Sequence, residues 1–160
     1  MGSIDRRRFL ATAAVSAALV GTAYAQGADT PNVALAKRLY AAFGKGEIPT
    51  IIAAMAPDVS WETVGRGSDF PTFGARKGPA AVQEFFALVG SNLDFSDFSP
   101  KEYYAIGDKV FVLGHYAMTV KKTGKAMDSD WTHIFTIDGG KVKAFREFLD
   151  TARAAEAYRA

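Results

Sequence analysis

Length, charge and cysteine content limit the protein classes to which this chain can belong. The 160 residues carry 19 Lys and Arg against 17 Asp and Glu, a formal net charge of +2, with no Cys and two His. Residues 1–25 hold three Arg and one Asp, so that segment accounts for the whole net charge. Residues 26–160 are therefore neutral overall, which argues against nucleic-acid binding. The lack of Cys excludes disulfides, thiolate metal sites, iron–sulfur clusters and attached c-type haem.

The first 25 residues have the pattern of a cleavable export signal. Three consecutive arginines at 6–8 are followed by Phe9 and Leu10, then by small and apolar residues over 11–24 that end in an A-x-A sequence. A basic head, an apolar middle and such an exit are typical of a secretory signal peptide. Paired arginines before a variable residue, Phe and Leu resemble the twin-arginine export signal. We expect the twin-arginine machinery to export the chain to the periplasm, with cleavage after Ala25.

The apolar run of this segment is too short, and too rich in Ala, Gly and Thr, for a transmembrane helix of about 20 apolar residues. No stable membrane anchor is therefore expected. The mature chain, residues 26–160, has a length that suits one domain with its own hydrophobic core.

Apolar spacing and turn residues predict helices first and strands afterwards. The expected elements of the first half are a helix from Thr30-Pro31 to Gly44, a short helix from Ile48 to Pro57, a strand over 59–64, a loop over 65–78 and a helix over 79–90. Those of the second half are strands over 95–106, 109–120, 126–137 and 141–149, then a helix over 151–158 capped by Asp150. Helices followed by an antiparallel meander predict an α+β fold.

The second strand of the meander is apolar on both faces. Alternation places Phe111, Leu113 and Ala117 on one face, and Val110, Val112, Tyr116, Met118 and Val120 on the other. A sheet that is apolar on both faces must be covered on both. Three helices cover one face, so we expect a second subunit to cover the other, which makes the protein a homodimer.

The order of elements and several stretches resemble the nuclear transport factor 2-like superfamily, and within it the SnoaL-like group related to polyketide cyclases and ketosteroid isomerases. The stretches are PDVSWE at 57–62, FGARKG at 73–78, DWTHIFT at 130–136 and the last hairpin strand up to residue 151. The resemblance implies that residues 26–160 are one SnoaL-like domain of cystatin-like architecture. A cone-shaped, curved antiparallel sheet would wrap three helices around an apolar pocket.

The last hairpin supplies the polar groups expected in that pocket. A three-residue turn over 138–140 would pair His133 with Phe145 and Trp131 with Glu147. Because side chains alternate along strands, all four would share one face. The resemblance directs that face towards the pocket.

The resemblance also assigns candidate catalytic roles. Ketosteroid isomerases use an Asp base and an oxyanion hole that includes a protonated Asp. By resemblance, the Asp of the oxyanion hole falls at His133 in this chain, and the base falls at Thr63. The hydroxyl of Thr63 cannot relay a proton as a carboxylate does. Polyketide cyclases of the SnoaL type use an acid on the final strand, which falls close to Glu147. Burial in an apolar pocket would raise the pKa of Glu147. We expect Glu147 to shuttle protons and His133 to polarise a substrate carbonyl or to orient Glu147.

Each of these residues also fits a structural role. His133 fits a buried histidine bonded to Glu147 or Tyr104, and aromatic residues at strand and helix spacing fit plain core. The residues expected to contact a ligand are Trp131, Trp61, Tyr40, Phe70, Phe73, Phe86 and His115. A surface or interface position fits His115 equally well. With two histidines and no H-x-x-H or H-x-x-x-H spacing, neither a metal site nor another cofactor is expected.

These observations lead to two hypotheses about function. The first is an exported SnoaL-like domain that binds a small hydrophobic, carbonyl-bearing molecule and performs isomerase, cyclase or lyase chemistry on it. The second is a non-catalytic module that sequesters such a ligand or serves as a dimeric accessory subunit. The hydroxyl at Thr63 favours the second hypothesis, and an acid at Glu147 near His133 favours the first.

Overall fold

A computed structural model describes residues 30–159 of the chain. The expected export signal over residues 1–25 lies outside the described residues. The elements, in chain order, are α1 (Pro31–Gly44), α2 (Ile48–Ala53), β1 (Met55–Thr63), β2 (Gly74–Lys77), α3 (Gly78–Asn92), β3 (Leu93–Ile106), β4 (Lys109–Val120), β5 (Ala126–Asp138), β6 (Lys141–Phe148) and α4 (Thr151–Tyr158).

Two helices begin with the side-chain caps that the sequence predicts. The Thr30 hydroxyl accepts a hydrogen bond from the Val33 backbone N–H at 3.2 Å at the start of α1. The Asp150 carboxylate accepts one from the Arg153 backbone N–H at 3.0 Å at the start of α4. Each cap satisfies a backbone donor that has no partner within its helix. Within residues 30–159, no helix has the length and apolar character needed to cross a membrane.

The six strands form one curved mixed sheet in the order β2-β1-β6-β5-β4-β3. The α+β class and the curved sheet are as expected, but the sheet is not antiparallel throughout, because β1 and β6 run parallel. Strands joined by a tight turn must be antiparallel, whereas β1 and β6 are separated by most of the domain. No local turn signal therefore revealed their relative direction.

The short strand β2 replaces part of the loop expected over 65–78, and it pairs with the end of β1. Strand β1 begins at Met55, earlier than expected, and passes through Pro57. Its register against β6 is irregular between Met55 and Ser60, where a residue without an N–H is tolerated. Helix α2 accordingly ends at Ala53 instead of reaching Pro57.

The turn between β5 and β6 is shorter than expected. Asp138 pairs directly with Lys141, so the turn consists of Gly139 and Gly140 alone. Both glycines have positive φ, at 55° and 72°, which a two-residue hairpin turn requires and which costs glycine little.

A bulge then shifts the β5–β6 register by one more residue between Thr136 and Ile137. His133 consequently pairs with Glu147, so the expected pairs His133–Phe145 and Trp131–Glu147 are wrong. The shorter turn and the bulge each move the register by one residue. Because the total shift is two residues, which is one full period of a strand, Trp131, His133, Phe145 and Glu147 still share one face.

The inner face of the sheet packs against α1 and α3, and the outer face is partly exposed. In β4, Val112, Tyr116 and Met118 are buried, whereas Leu113 is 37% exposed on the opposite face. This alternation is the one expected from the sequence.

Gly114 makes room for one of the two tryptophan side chains of the inner face. It pairs with Trp131 across β4 and β5, and a Cβ at Gly114 would lie 2.1 Å from Cζ2 of that indole. A contact this short cannot be accommodated without displacing the ring or the strand. The glycine therefore allows the Trp131 ring to lie flat on the neighbouring strand.

Gly114→Ala should destabilise the fold by about 1–3 kcal/mol, because the added methyl overpacks the contact with Trp131. Gly90→Ala is the matched control. Gly90 lies inside α3 with open space around its Cα, so this change should be neutral or stabilising by about 0.5–1 kcal/mol. Urea unfolding midpoints measure both; equal effects of the two substitutions would contradict the packing role of Gly114.

Candidate functional site

A cavity of about 810 Å³, its mouth included, lies between the inner face of the sheet and helices α1 and α3. Most of its wall is aromatic or aliphatic. The expected site residues that line it are Tyr40, Trp61, Phe70, Phe73, Phe86, His133 and Glu147. Apolar walls with few polar groups are typical of small-molecule sites.

Stacked aromatic rings form the walls of the cavity. Trp61 stacks on Phe145 with a centroid distance of 3.8 Å and an interplanar angle of 16°. On the other side, Phe98 lies 4.9 Å from Phe43 and stacks on Trp131 at 5.5 Å. Extensive ring contacts of this kind keep the walls rigid and flat.

The segment that carries Phe70 is anchored by backbone contacts of one arginine. The Arg76 guanidinium donates hydrogen bonds to the carbonyl oxygens of Thr72 and Pro71, at 2.9 and 3.2 Å. The Phe70 ring lies 5.1 Å from the ring of Tyr158 in α4. This part of the cavity wall is therefore held between β2 and the C-terminal helix.

Glu147 supplies the one carboxylate among the described residues that line the cavity, and three polar side chains surround it. The Thr63 hydroxyl donates a hydrogen bond to Oε2 at 2.9 Å, and the Tyr116 hydroxyl donates a longer one to Oε1 at 3.4 Å. Nε2 of His133 lies 3.3 Å from Oε1. The Glu147 side chain is 12% exposed, so the carboxylate is nearly buried.

The pKa of Glu147 differs from the expectation drawn from the sequence. Burial by itself raises the pKa of this carboxyl, but the facing His133 and the hydroxyls of Thr63 and Tyr116 outweigh burial and hold the pKa below its ordinary value. The expected raised pKa is therefore wrong, because the pocket supplies partners that stabilise the charged form. Glu147 is an ionised acceptor at neutral pH.

His133 is held in place from both sides of its ring. Its ring stacks on Trp131 with a centroid distance of 3.9 Å and an interplanar angle of 21°. The Tyr40 hydroxyl lies 3.0 Å from Nδ1. The partners of His133 are thus Tyr40 and Glu147, whereas the hydroxyl of Tyr104 donates to Glu102.

Nε2 of His133 is fully covered by its neighbours, and it is not aligned for a directional hydrogen bond among the described residues. Its contact with Glu147 at 3.3 Å is therefore chiefly electrostatic. A covered nitrogen cannot reach a substrate oxygen. Of the two roles expected for His133, orienting Glu147 is the one that this geometry supports.

Two expected ligand contacts lie outside the cavity wall. Trp131 is buried behind His133, against Gly114, and does not line the cavity. His115 points to the outer face of the sheet, where its Nδ1 lies 2.9 Å from Oδ1 of Asp130. His115 directly precedes Tyr116 in β4, and successive side chains of a strand point to opposite faces. Because Tyr116 faces the cavity, His115 cannot.

The roles of three polar residues were missed. Thr63 was considered only as the position where a catalytic base is absent, and not as a donor to Glu147. The alternation of β4 placed Tyr116 on the inner face but did not reveal its hydrogen bond to Glu147. Tyr40 was taken only as a wall of the pocket. Their partners come from separate strands and a helix, and no sequence spacing reports such contacts.

Among residues 30–159, no three His, Asp or Glu side chains are grouped so as to hold a metal ion.

Comparisons with known proteins agree with this architecture. A family model of the SnoaL-like domain matches residues 36–154. The chain therefore belongs to the SnoaL-like domain family, within the nuclear transport factor 2-like (NTF2-like) fold. A comparison with curated protein sequences finds no significant match.

Several solved structures are similar over most of the chain. An NTF2-like protein from Burkholderia xenovorans is 30% identical, with a TM-score of 0.74 over 81% of this chain and 96% of that chain. An NTF2-like protein of unknown function from Burkholderia pseudomallei is 25% identical, with a TM-score of 0.75 over 82% of this chain and 99% of that chain. TerC, co-crystallised with polyporic acid, is 28% identical, with a TM-score of 0.72 over 80% of this chain and 98% of that chain.

Thr63→Val should raise the pKa of Glu147, because it removes a hydroxyl that stabilises the charged carboxylate. A carboxyl ¹³C titration by NMR measures this pKa. Thr72→Val is the matched control, since Thr72 is a buried threonine of the same cavity wall and is not one of the side chains that hydrogen-bond to Glu147. An unchanged titration in Thr63→Val, or equal shifts in both variants, would show that the Thr63 hydrogen bond does not set the charge of Glu147.

Proposed function

We propose that this chain binds a small hydrophobic, carbonyl-bearing molecule in its cavity and performs cofactor-independent acid–base chemistry on it, of the isomerase, cyclase or lyase type. The observation that supports the proposal is the position of Glu147. It is an ionised carboxylate at the polar end of a cavity that is otherwise almost entirely apolar. TerC, a similar structure co-crystallised with polyporic acid, adds support for an organic ligand.

Glu147 is the proposed proton shuttle. It removes a proton from the carbon next to the carbonyl; the electrons of the C–H bond form an enolate, and the protonated carboxyl then returns the proton to another position. Such a transfer by a positioned side chain typically contributes a factor of about 10²–10⁴ in rate. Because the pKa of Glu147 is low, this base depends on stabilisation of the enolate oxygen.

Tyr116 is the proposed donor to that oxygen. It lines the cavity next to Glu147. Burial, together with the charge of Glu147 and the hydrogen bond to it, raises the pKa of the Tyr116 hydroxyl, so the hydroxyl keeps its proton. Its bond to Glu147 is long, at 3.4 Å, and is exchanged at little cost for one to a substrate oxygen.

Exchange of hydrogen for deuterium at carbon tests this proposal without knowledge of the natural substrate. β-Tetralone, a bicyclic aromatic ketone, is incubated with the protein in deuterium oxide, and loss of its α-proton signals is followed by NMR. We expect the wild-type protein to accelerate exchange and Glu147→Gln to lower the rate by about 100-fold or more. Glu147→Gln retains the shape of the side chain and removes its charge.

Glu62→Gln is the control for this assay, because the Glu62 carboxylate pairs with Arg146 at 2.7 Å and does not line the cavity. This variant should exchange like the wild-type protein. Equal rates in wild type and Glu147→Gln would remove Glu147 from the mechanism. Saturable binding of β-tetralone without any acceleration would instead support the non-catalytic, ligand-sequestering function.

We also propose that the mature chain acts in the periplasm as a homodimer. Support for export is the basic, apolar and A-x-A pattern of residues 1–25. Support for the dimer is the outer face of the sheet, where Leu113 and Phe148 are 37% and 38% exposed. Large apolar side chains grouped on one open face favour association.

Native mass spectrometry of the periplasmic protein tests both proposals together. We expect the mass of two copies of residues 26–160, and the mass of one copy for Leu113→Asp, because a charge on the outer face opposes its burial. A chain that retains residues 1–25 would contradict cleavage after Ala25. A monomeric wild-type protein at micromolar concentration would contradict the dimer.

A further inference from the structure

Three side chains form a line of polar contacts that ends at Glu147. The Tyr40 hydroxyl, from α1, lies 3.0 Å from Nδ1 of His133, and Nε2 of the same ring lies 3.3 Å from Oε1 of Glu147. The two nitrogens of one imidazole therefore face two different partners. Which nitrogen carries the proton determines what Glu147 meets.

The ring of His133 has little freedom to change this arrangement. It stacks between neighbours, on Trp131 at 3.9 Å and beside Tyr40 at 5.9 Å. Phe145 meets it edge-on at 4.8 Å. Rotation of the ring out of its plane would displace these aromatic contacts, so packing fixes the plane of the ring. The contacts with Tyr40 and Glu147 determine which side of the ring each nitrogen occupies.

The partners differ in what they can do. An ionised carboxylate only accepts hydrogen bonds, whereas a tyrosine hydroxyl donates or accepts. Burial, with the nearby Tyr103 and Glu147, raises the pKa of the Tyr40 hydroxyl well above its ordinary value, so this hydroxyl keeps a proton to donate. A neutral imidazole carries one N–H. With the proton on Nε2, the N–H faces the Glu147 carboxylate, which is favourable. With the proton on Nδ1, the lone pair of Nε2 faces the carboxylate, which is unfavourable.

We propose that Tyr40 is a positioning residue: its hydroxyl donates to Nδ1 of His133 and so fixes the tautomer that presents an Nε2–H to Glu147. The inference extends the proposed function, because it assigns the group that keeps the proton shuttle oriented. Without the donor at Nδ1, the Nε2–H tautomer loses its partner on that side of the ring. The imidazole then populates the other tautomer more often, and in that tautomer Glu147 loses a favourable partner.

The two histidines of the chain make this proposal directly measurable. Nδ1 of His115 faces the Asp130 carboxylate at 2.9 Å, so His115 should carry its proton on Nδ1. His133 should carry its proton on Nε2. The two residues are thus expected to show opposite tautomers, and His115 serves as an internal reference within the same spectrum.

Long-range ¹H–¹⁵N NMR spectra of the ¹⁵N-labelled protein report the tautomer of each ring. Spectra are recorded at about pH 8.5, two units above the ordinary histidine pKa of about 6.5. We expect His133 to give the pattern of an Nε2–H ring with a hydrogen-bonded Nδ1. An Nδ1–H ring, or a ring protonated on both nitrogens, would overturn the proposal, and this part of the test needs no substitution.

Tyr40→Phe removes the donor and keeps the aromatic ring. We expect the Nδ1 and Nε2 signals of His133 to move towards the average of the two tautomers, while the signals of His115 stay unchanged. A ring that remains wholly Nε2–H in Tyr40→Phe, with only the Nδ1 signal shifted, would overturn the proposal. Tyr158→Phe is the matched control: its ring packs on that of Phe70 at 5.1 Å, and it is not one of the groups that act on the Tyr40 hydroxyl, so the His133 signals should remain. Unchanged His133 signals in Tyr40→Phe would overturn the proposal.

The β-tetralone exchange assay separates this inference from the proposed function. Tyr40→Phe should lower the maximal exchange rate about tenfold, the effect of one lost hydrogen bond, with little change in the concentration for half-saturation. If wild-type exchange is absent while His133 shows the Nε2–H tautomer, the proposed catalysis fails and the tautomer assignment stands. If exchange is present and unaffected by Tyr40→Phe, Tyr40 does not position the shuttle.

Discussion

A charged carboxylate placed in an apolar cavity is the interaction on which the rest of this structure depends. Removing an isolated carboxylate from water is costly unless partners replace the lost hydration. Glu147 receives them from three other strands: Thr63 from β1, Tyr116 from β4 and His133 from β5. Four strands must therefore meet in the correct register at one point, and the pKa of Glu147 stays low because they do.

The aromatic packing provides the rigidity that this site needs. His133 is held by stacking on Trp131, and Trp131 lies flat only because its cross-strand partner is Gly114. His133 and the rings of Trp61, Phe98 and Phe145 form cavity walls that offer an incoming molecule apolar surfaces and one polar end. A ligand in such a cavity is oriented by its oxygen atoms, since burial of a polar group without a hydrogen bond is unfavourable. This arrangement suits the proposed chemistry of a SnoaL-like domain on a carbonyl compound.

Local patterns in the sequence predicted most of the elements and the faces of the strands. Alternation correctly placed His133 and Glu147 on one face, since a strand keeps its own parity whatever its partner does, and the family resemblance directed that face towards the cavity. The pairing of those residues was wrong by two positions, because the Gly139-Gly140 turn is one residue shorter than expected and a bulge adds a second shift. The expected position of His115 in the cavity was wrong, because the alternation of side chains along β4 directs it to the outer face.

The sequence by itself determined the α+β class, the order of helices and strands, the caps at Thr30 and Asp150 and the apolar character of the inner face. These features depend on neighbours within a few residues, whose propensities and spacing act locally. The tertiary structure decided that β1 lies parallel to β6, that Thr63 and Tyr116 meet Glu147, and that Tyr40 reaches His133. Such contacts join residues far apart in the chain, so a carboxyl whose apolar surroundings predicted a raised pKa has a lowered pKa once distant partners surround it.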